Sequence, residues 1–224
     1  MLLSRIEMDI SNRQTLRGLS SPHVLHAAVA NCFPANPDEE LSRSLWRVDS
    51  LAGKTWLLIL SQEQPDFSAF ARQFCRAGIR GESKSYDNLL ARIDNGQEWR
   101  FRLAANPTHS QSTGKASGKR GKVYAHLTVE QQKKWLIKKA VSHGFDVGEI
   151  IVKEDGAEEV RATFEVTHSE HISFRRGDKY VSLGLATFEG LLRVTDKELF
   201  TAALTDGIGR AKAYGCGLLT IARP

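Results

Sequence analysis

Along its first hundred residues the chain switches repeatedly between two hydrophobic periods, and that switching restricts the fold more than any single motif does. Residues 1–10 alternate through Leu3, Arg5/Ile6, Met8 and Ile10 as a strand would. Ser21 then offers an N-cap with Pro22 in the first helical position. Val24, Leu25, Ala28, Val29 and Cys32 recur at helical spacing until Pro34 ends the run. "SLWRVDS" and "KTWLLIL" flank Leu51-Ala52-Gly53 like the arms of a hairpin. "DFSAFARQFCRAG" reads as a helix stopped by Gly78, and "EWRFRLAA" as a strand stopped by Asn106-Pro107. The order β-α-β-β-α-β is the ferredoxin-like arrangement.

The period then disappears. Residues 107–122, "PTHSQSTGKASGKRGK", are rich in Ser, Gly and Lys and carry no apolar repeat, so they read as a linker or loop. Regular patterning resumes at Thr128, which forms a capping box with Gln131 ahead of a helix expected to bury Val129, Leu136, Ile137, Ala140 and Val141 and to close at Gly144. "VGEIIVKE" reads as a strand, and "ISFRRGDKYVSLGLATFEGLLRV" as a long hairpin turning at Gly177-Asp178. Its apolar phase shifts between Leu185 and Phe188, which points to a bulge. "DKELFTAALTDGIG" is helical and "LLTIA" is a final strand. The expected fold is α+β. It divides into a ferredoxin-like unit at 1–106, a basic linker at 107–124 and a less regular αβββαβ-like unit at 125–224. No sequence-level repeat relates the two units.

Charge is concentrated. Residues 115–139 hold Lys115, Lys119, Arg120, Lys122, Lys133, Lys134, Lys138 and Lys139 against the single acid Glu130, so this stretch exceeds the whole chain's net charge of +5. Such a focus suits a polyanion, although a lysine-rich solvated helix face would look the same. Cys32, Cys75 and Cys216 are odd in number and scattered, which argues against a disulfide framework or a cysteine-rich zinc site and for a reducing cytoplasm. Charges at Arg5, Glu7 and Asp9 interrupt any signal-peptide core, and no apolar run approaches the ~20 residues of a membrane span.

Two constellations could carry chemistry. His23 and His26 stand three apart in the first turns of the helix begun by Ser21, so their Cβ atoms should lie ~5–6 Å apart, with His26 flanking the apolar stripe and His23 further toward solvent. A helix N-terminus attracts phosphate and disfavours imidazolium, which keeps a histidine available as a base near neutral pH. Equally, two histidines on a helix can be incidental. The second constellation is "DGIGRAKAYGCGLL", with Gly207, Gly209, Gly215 and Gly217. A dinucleotide fingerprint is excluded because Lys212 occupies the third glycine position and the chain ends too soon for a βαβ unit. What remains is either a helix end needing positive φ or a loop whose bare backbone meets a phosphate backbone, with Arg210 and Lys212 adding charge. His23/His26 and His168/His171 also form two HxxH pairs, which raises a four-histidine metal site as a rival, but ordinary zinc sites mix in Cys or carboxylate. His109, His126 and His143 show no evident partners and read as surface residues.

Taken in order, "SPHVLHAAV", "SLWRVDS", "FRLAANPT", "TFEGLLRVTD" and "GIGRAKAYGCGLLTIAR" resemble the repeat-processing endoribonucleases of the type I-E CRISPR Cascade complex, the CasE family, over nearly the whole chain. The resemblance implies two tandem ferredoxin-like domains of RNA-recognition type. It implies cleavage of CRISPR repeat RNA at the base of its stem-loop by 2′-OH attack, without metal or other cofactor. It further implies continued binding of the product crRNA as a subunit beside other Cascade proteins. It places the catalytic histidine on His26, with His23 where matching members often carry tyrosine, and alanine at Ala104 where close relatives often carry arginine. Lys212 or Arg210 would offset charge. The stem would lie along Arg175, Arg176 and Lys179 of the hairpin, with Lys115, Lys119, Arg120 and Lys122 able to add contacts. The alternative is a stem-loop-binding subunit without catalysis.

Overall fold

A computed structural model describes residues 1–34, 44–111, 122–154 and 157–224, in a mixture of helices and antiparallel sheets. Strand β1 (Leu2–Met8) leads into helices α1 (Arg13–Ser20) and α2 (Pro22–Ala30), with Ser21 alone between them. No apolar stripe announces α1. Its buried residues are Thr15 and Gly18, and its start is fixed by Asn12, whose side chain accepts from the Gln14 N–H. Strands β2 (Leu45–Leu51) and β3 (Lys54–Ser61) form the expected hairpin around Ala52 and Gly53, both at positive φ. Helix α3 (Ser68–Phe74) ends four residues before Gly78. Strand β4 (Glu82–Ser85), helix α4 (Asp87–Leu90) and strand β5 (Glu98–Ala105) follow.

The first sheet runs β2-β3-β1-β4. Its fourth strand is the polar, exposed β4, and this corrects the expectation that Glu98–Ala105 completes it. β5 instead pairs with two strands from the end of the chain, leaving the first sheet altogether.

The presumed linker has structured ends: β6 (Thr108–Gln111) pairs with β7 (Lys122–Ala125). Helix α5 (Val129–Val141) carries the capping box of Thr128 and Gln131. It is rotated from the expected face, burying Gln132, Trp135, Leu136 and Ala140 while Val129 and Ile137 are exposed and Val141 is 74% exposed. The indole of Trp135 is the larger apolar surface, and it stacks on Phe188 with ring centroids 6.1 Å apart.

Strands β8 (Phe145–Asp146), β9 (Glu149–Glu154) and β10 (Ala157–Ala162) precede the long hairpin of β11 (Phe164–Arg176) and β12 (Lys179–Val194). Its register shifts between Val166 and His168, so the extra residue is Thr167, opposite the phase change read on β12. Helix α6 (Lys197–Asp206), a 3₁₀ turn (Lys212–Tyr214) and strand β13 (Leu219–Ala222) finish the chain. The second sheet is ordered β11-β12-β5-β13, with β8 against β12.

Each sheet has its own core. Helices α2 and α3 close Leu25, Val29, Phe70 and Phe74 over Ile6, Leu57 and Ile59 of the first sheet. Trp135, Phe145, Phe164, Phe188 and Phe200 fill the second. Strand alternation on β2 joins them, because Trp46 enters the first core while Leu45 enters the second.

Candidate active site and nucleic-acid interface

Helix α2 turns Leu25, Ala28 and Val29 into the first core, which leaves His23 and His26 on its other flank. His26 is exposed and His23 half-buried, the reverse of the sequence expectation. The reason is a neighbour from the distant β11–β12 hairpin. Phe174 stacks on the His23 ring with centroids 5.6 Å apart and planes 18° apart. Phe174 then meets Tyr214 of the 3₁₀ turn edge-on at 5.0 Å, and Tyr214 meets His26 edge-on at 6.3 Å. The two histidines of one helix are thus linked through two rings of the other sheet's elements. His23 Nδ1 is buried with no hydrogen-bond partner among the described residues, a state that generally costs about 1–3 kcal/mol.

The glycine pairs lie in the same place. They bracket the turn that carries Lys212 and Tyr214, and all four have positive φ. Two show why. A Cβ on Gly207 would stand 2.8 Å from the Gly217 carbonyl, and one on Gly215 would stand 2.9 Å from the Trp46 ring. The Ile208 N–H donates to Gly217 O at 2.9 Å, and the Gly217 N–H donates to Ala104 O at 2.7 Å, which pins the loop to β5. Packing therefore accounts for the spacing read in the sequence. Arg210 is exposed and its backbone bridges Asn106. Lys212 is half-buried and its ammonium donates to Asp206 O at 2.5 Å, at the C-terminal end of α6 where cations are favoured.

At the hairpin tip Arg175 is exposed; its Nε donates to Gly177 O at 2.9 Å and its guanidinium lies 3.5 Å from Asp178. Arg176, Lys179 and Lys122 are described as backbone only, and Lys115, Lys119 and Arg120 lie outside the described residues. His168 and His171, three apart on a strand, face opposite sides of the sheet, so the four-histidine arrangement does not form. His168 instead lies 3.6 Å from Glu170. Among the described residues no group of three or more His, Cys, Asp or Glu side chains is placed to hold a metal, and no helix is long and apolar enough to cross a membrane. The remaining histidines do have partners: His143 Nδ1 sits 2.7 Å from Lys139 O, and His109 and His126 pack ring to ring.

Phe174 and Tyr214 escape a reading based on residue type, since aromatic residues default to core. A buried charge pair escapes it too. Arg47, 2% exposed on β2, grips Asp49 with two bonds of 2.7 Å. It also donates to Arg102 O (3.0 Å) of β5, Leu218 O (2.6 Å) just before β13 and Thr220 Oγ1 (2.7 Å) of β13. Arg102 lies 3.5 Å from Asp49 and 3.4 Å from Glu189. The signal is an Arg and an Asp set two apart beside the apolar Leu45, Trp46 and Val48 of one strand. Burial pushes the Cys216 thiol up to about 12, and burial with Asp66 pushes Cys32 up to about 12, so both favour the protonated form.

A family model described as "CRISPR associated protein" matches residues 1–223. The chain is 28% identical to the CRISPR-associated endoribonuclease Cse3 of Thermus thermophilus, over 99% of this chain and 100% of the relative. The solved structure of CRISPR endoribonuclease Cse3 bound to a 19 nt RNA superposes with a TM-score of 0.75 at 25% identity, covering 99% of this chain and 100% of that one. A chain of a CRISPR RNA-guided surveillance complex shares the fold, with a TM-score of 0.62 at 23% identity and full coverage of both chains.

Proposed function

Because the chain belongs to the CRISPR-associated protein family, we propose that it is an endoribonuclease that cuts CRISPR repeat RNA at the base of its stem-loop. The observation that carries this reading is the meeting of His23 and His26 with the glycine-bracketed turn, through Phe174 and Tyr214. A nucleophile supplied by the RNA itself needs little from the protein beyond a base, an acid and nearby positive charge. The ribose 2′-OH gives up its proton as O2′ bonds to phosphorus. The P–O5′ bond breaks, and the departing 5′-oxygen takes a proton. The ends are a 2′,3′-cyclic phosphate and a 5′-OH, and no metal is required.

His26, the exposed imidazole, carries the proton transfer, and His23, stacked and half-buried, orients or assists it. Arg210, exposed on the glycine-bracketed loop, offsets phosphorane charge, and Lys212 does so on leaving the Asp206 carbonyl. The stem lies against the hairpin tip at Arg175, Arg176 and Lys179, where shape and phosphate contacts govern duplex RNA binding. The Cse3 relative is bound to RNA, and a chain of the same fold is part of a CRISPR surveillance complex. Retention of the product beside other Cascade subunits fits that likeness.

The strand order supports the two-domain reading in corrected form. Along the first sheet the order β4-β1-β3-β2, with α2 and α3 as crossovers, is that of a ferredoxin-like domain. We place its end between Leu90 and Glu98, since β5 belongs with the second unit.

The test is cleavage of an end-labelled repeat stem-loop in EDTA, with the product ends identified. His26→Ala should slow cutting by about 10²–10⁴-fold, the usual worth of a positioned acid or base, while stem-loop affinity persists. A 2′-deoxy sugar just upstream of the scissile phosphate should abolish the cut. Wild-type cleavage by His26→Ala would refute the assignment, and a wild-type protein that binds without cutting would leave an RNA-binding subunit.

A further inference from the structure

The β6–β7 hairpin carries rings that the proposed cleavage does not use. His109 and Tyr124 are direct cross-strand partners, with ring centroids 5.7 Å apart and planes 27° apart. His126 joins them at 4.8 Å from His109. Alternation explains which way they face. Ala125 is turned onto the second sheet, its Cβ only 2.9 Å from where a Cβ on Gly184 would stand, so its neighbours Tyr124 and His126 turn away from that sheet. Tyr124 is 44% exposed and His109 is exposed as well. We propose that this outer face, His109, Tyr124 and His126, is a stacking site for unpaired bases of the RNA strand that flanks the stem-loop.

The proposal rests on the RNA-cleaving function above and adds a second contact region to it. Every base has a π-face, and planar side chains on strands are the usual platform for single-stranded nucleic acid. Three rings already packed on one another have lost their rotamer freedom, so they present a pre-ordered surface. Burial, then His109, holds the His126 imidazole below its ordinary pKa, so the platform offers a neutral ring at neutral pH. Position favours RNA over a protein partner. The hairpin begins two residues after Asn106, whose backbone bridges Arg210 of the glycine-bracketed loop, so the rings stand about 10 Å along the strand from that loop. The sequence between Pro107 and Val129 has four cationic side chains, Lys115, Lys119, Arg120 and Lys122, and no acid. A strand leaving the cut site along that loop therefore meets exposed π-faces.

The experiment compares two non-cleavable probes with a 2′-deoxy sugar at the scissile position. One is a repeat stem-loop with about six unpaired adenosines on each side, enough to span a single-strand site, and the other is the same stem-loop trimmed flush. The double variant His109→Ala/Tyr124→Ala should bind the tailed probe about 5–150-fold more weakly, given ~1–3 kcal/mol per stacked base, and bind the trimmed probe as the wild type does. Tyr124→Phe, which keeps the ring, should bind both normally. In the wild-type protein, 2-aminopurine placed in the tail should be quenched on binding, a readout that needs no variant. Equal loss on both probes, no loss on either, or an unquenched tail would overturn the proposal. So would unchanged RNA affinity with lost assembly onto other Cascade subunits, which would make the face a protein contact. If the wild type fails to bind even the trimmed stem-loop, the function proposed above falls first.

Discussion

Of the contacts among the described residues that tie the first sheet to the second, two seams work by opposite physical means. At the β2 seam a buried Arg47 gathers Asp49, two backbone carbonyls and a threonine hydroxyl from β5, β13 and the approach to β13. At the α2 seam, rings meet edge to face around an exposed His26. A buried, fully bonded ion pair is rigid because each partner would be costly to leave unpaired. A row of ring contacts at the surface fixes direction and keeps the imidazole solvent-exposed. The first seam sets where the two sheets stand, and the second uses that placement.

The largest effect should come from breaking the buried seam. Arg47→Met leaves Asp49 enclosed without its closest cation, and removal of one partner of such a pair typically costs about 3–5 kcal/mol. Denaturant unfolding should show that loss, and cleavage should fall with it because His26 and Tyr214 belong to elements of different sheets. If Arg47→Met keeps wild-type stability, the clamp does not exist. By contrast, His26→Ala should leave the folding stability within about 0.5 kcal/mol of wild type, as surface changes do.

A smaller effect follows at the point where the seams touch. Gly215 holds φ +80 directly over the Trp46 ring. Gly215→Ala adds a Cβ at 2.9 Å from that ring and a left-handed alanine, at about 1–3 kcal/mol together. Trp46 sits between Leu45 and Arg47, so strain there reaches both seams. The expected outcome is a modestly lower melting temperature with a larger fractional loss of cleavage, since the turn bearing Tyr214 must shift.

These same residues show how much the sequence could reveal. The α2 pattern, the β2–β3 turn, the capping box of α5 and the tip of the long hairpin were readable because each rests on local chemistry: a proline at N1, a glycine at positive φ, a Thr-Gln pair. Helix α1 was not, because it buries Thr15 and Gly18 and leaves Leu16 and Leu19 exposed. Gly18 is there for closeness, since a Cβ on it would meet Leu25 at 3.0 Å. Strand β5 was found, but period alone states that a strand exists and not which sheet it joins. The polar β4 carries no apolar signal at all. Of the site, the histidines and the glycine loop were legible as residue types, whereas Phe174 reaches His23 across a sequence distance no local pattern spans.

The seams should also part company with pH. Burial pushes the Tyr86 phenol up to about 12, with Arg47 pulling the other way. Its folded value lies above the ordinary 10.0, so its contribution to stability is intact below pH 10 and is lost as pH rises toward 12. Cys32 and Cys216, raised from 9.0 to about 12, behave likewise from pH 9 upward. Within that window each buried thiol gives up roughly 1.4 kcal/mol of stability for every further pH increment of one. Denaturation midpoints should hold steady through neutral pH and decline above about pH 9, and Cys216→Ala should reduce the slope. A midpoint already falling between about pH 7 and pH 8.5, below the window of these groups, would show that others control the buried seam.

The smallest effect belongs to a single ring. Phe174→Leu keeps an apolar side chain on β11 and removes the face stacked on His23, and aromatic pairs are worth about 0.5–1.5 kcal/mol beyond their burial. Because the leucine still fills much of the space, global unfolding should register only that loss. Cleavage reports something different. If the stack merely fills volume, kcat and KM stay near wild type, and the half-buried His23 is ordinary packing. If it orients His23, kcat falls several-fold at unchanged KM. Phe174→Tyr, which restores a ring of the same shape, should then recover kcat. Recovery by tyrosine but not by leucine would establish that the exposed seam works through ring geometry, where the buried one works through charge.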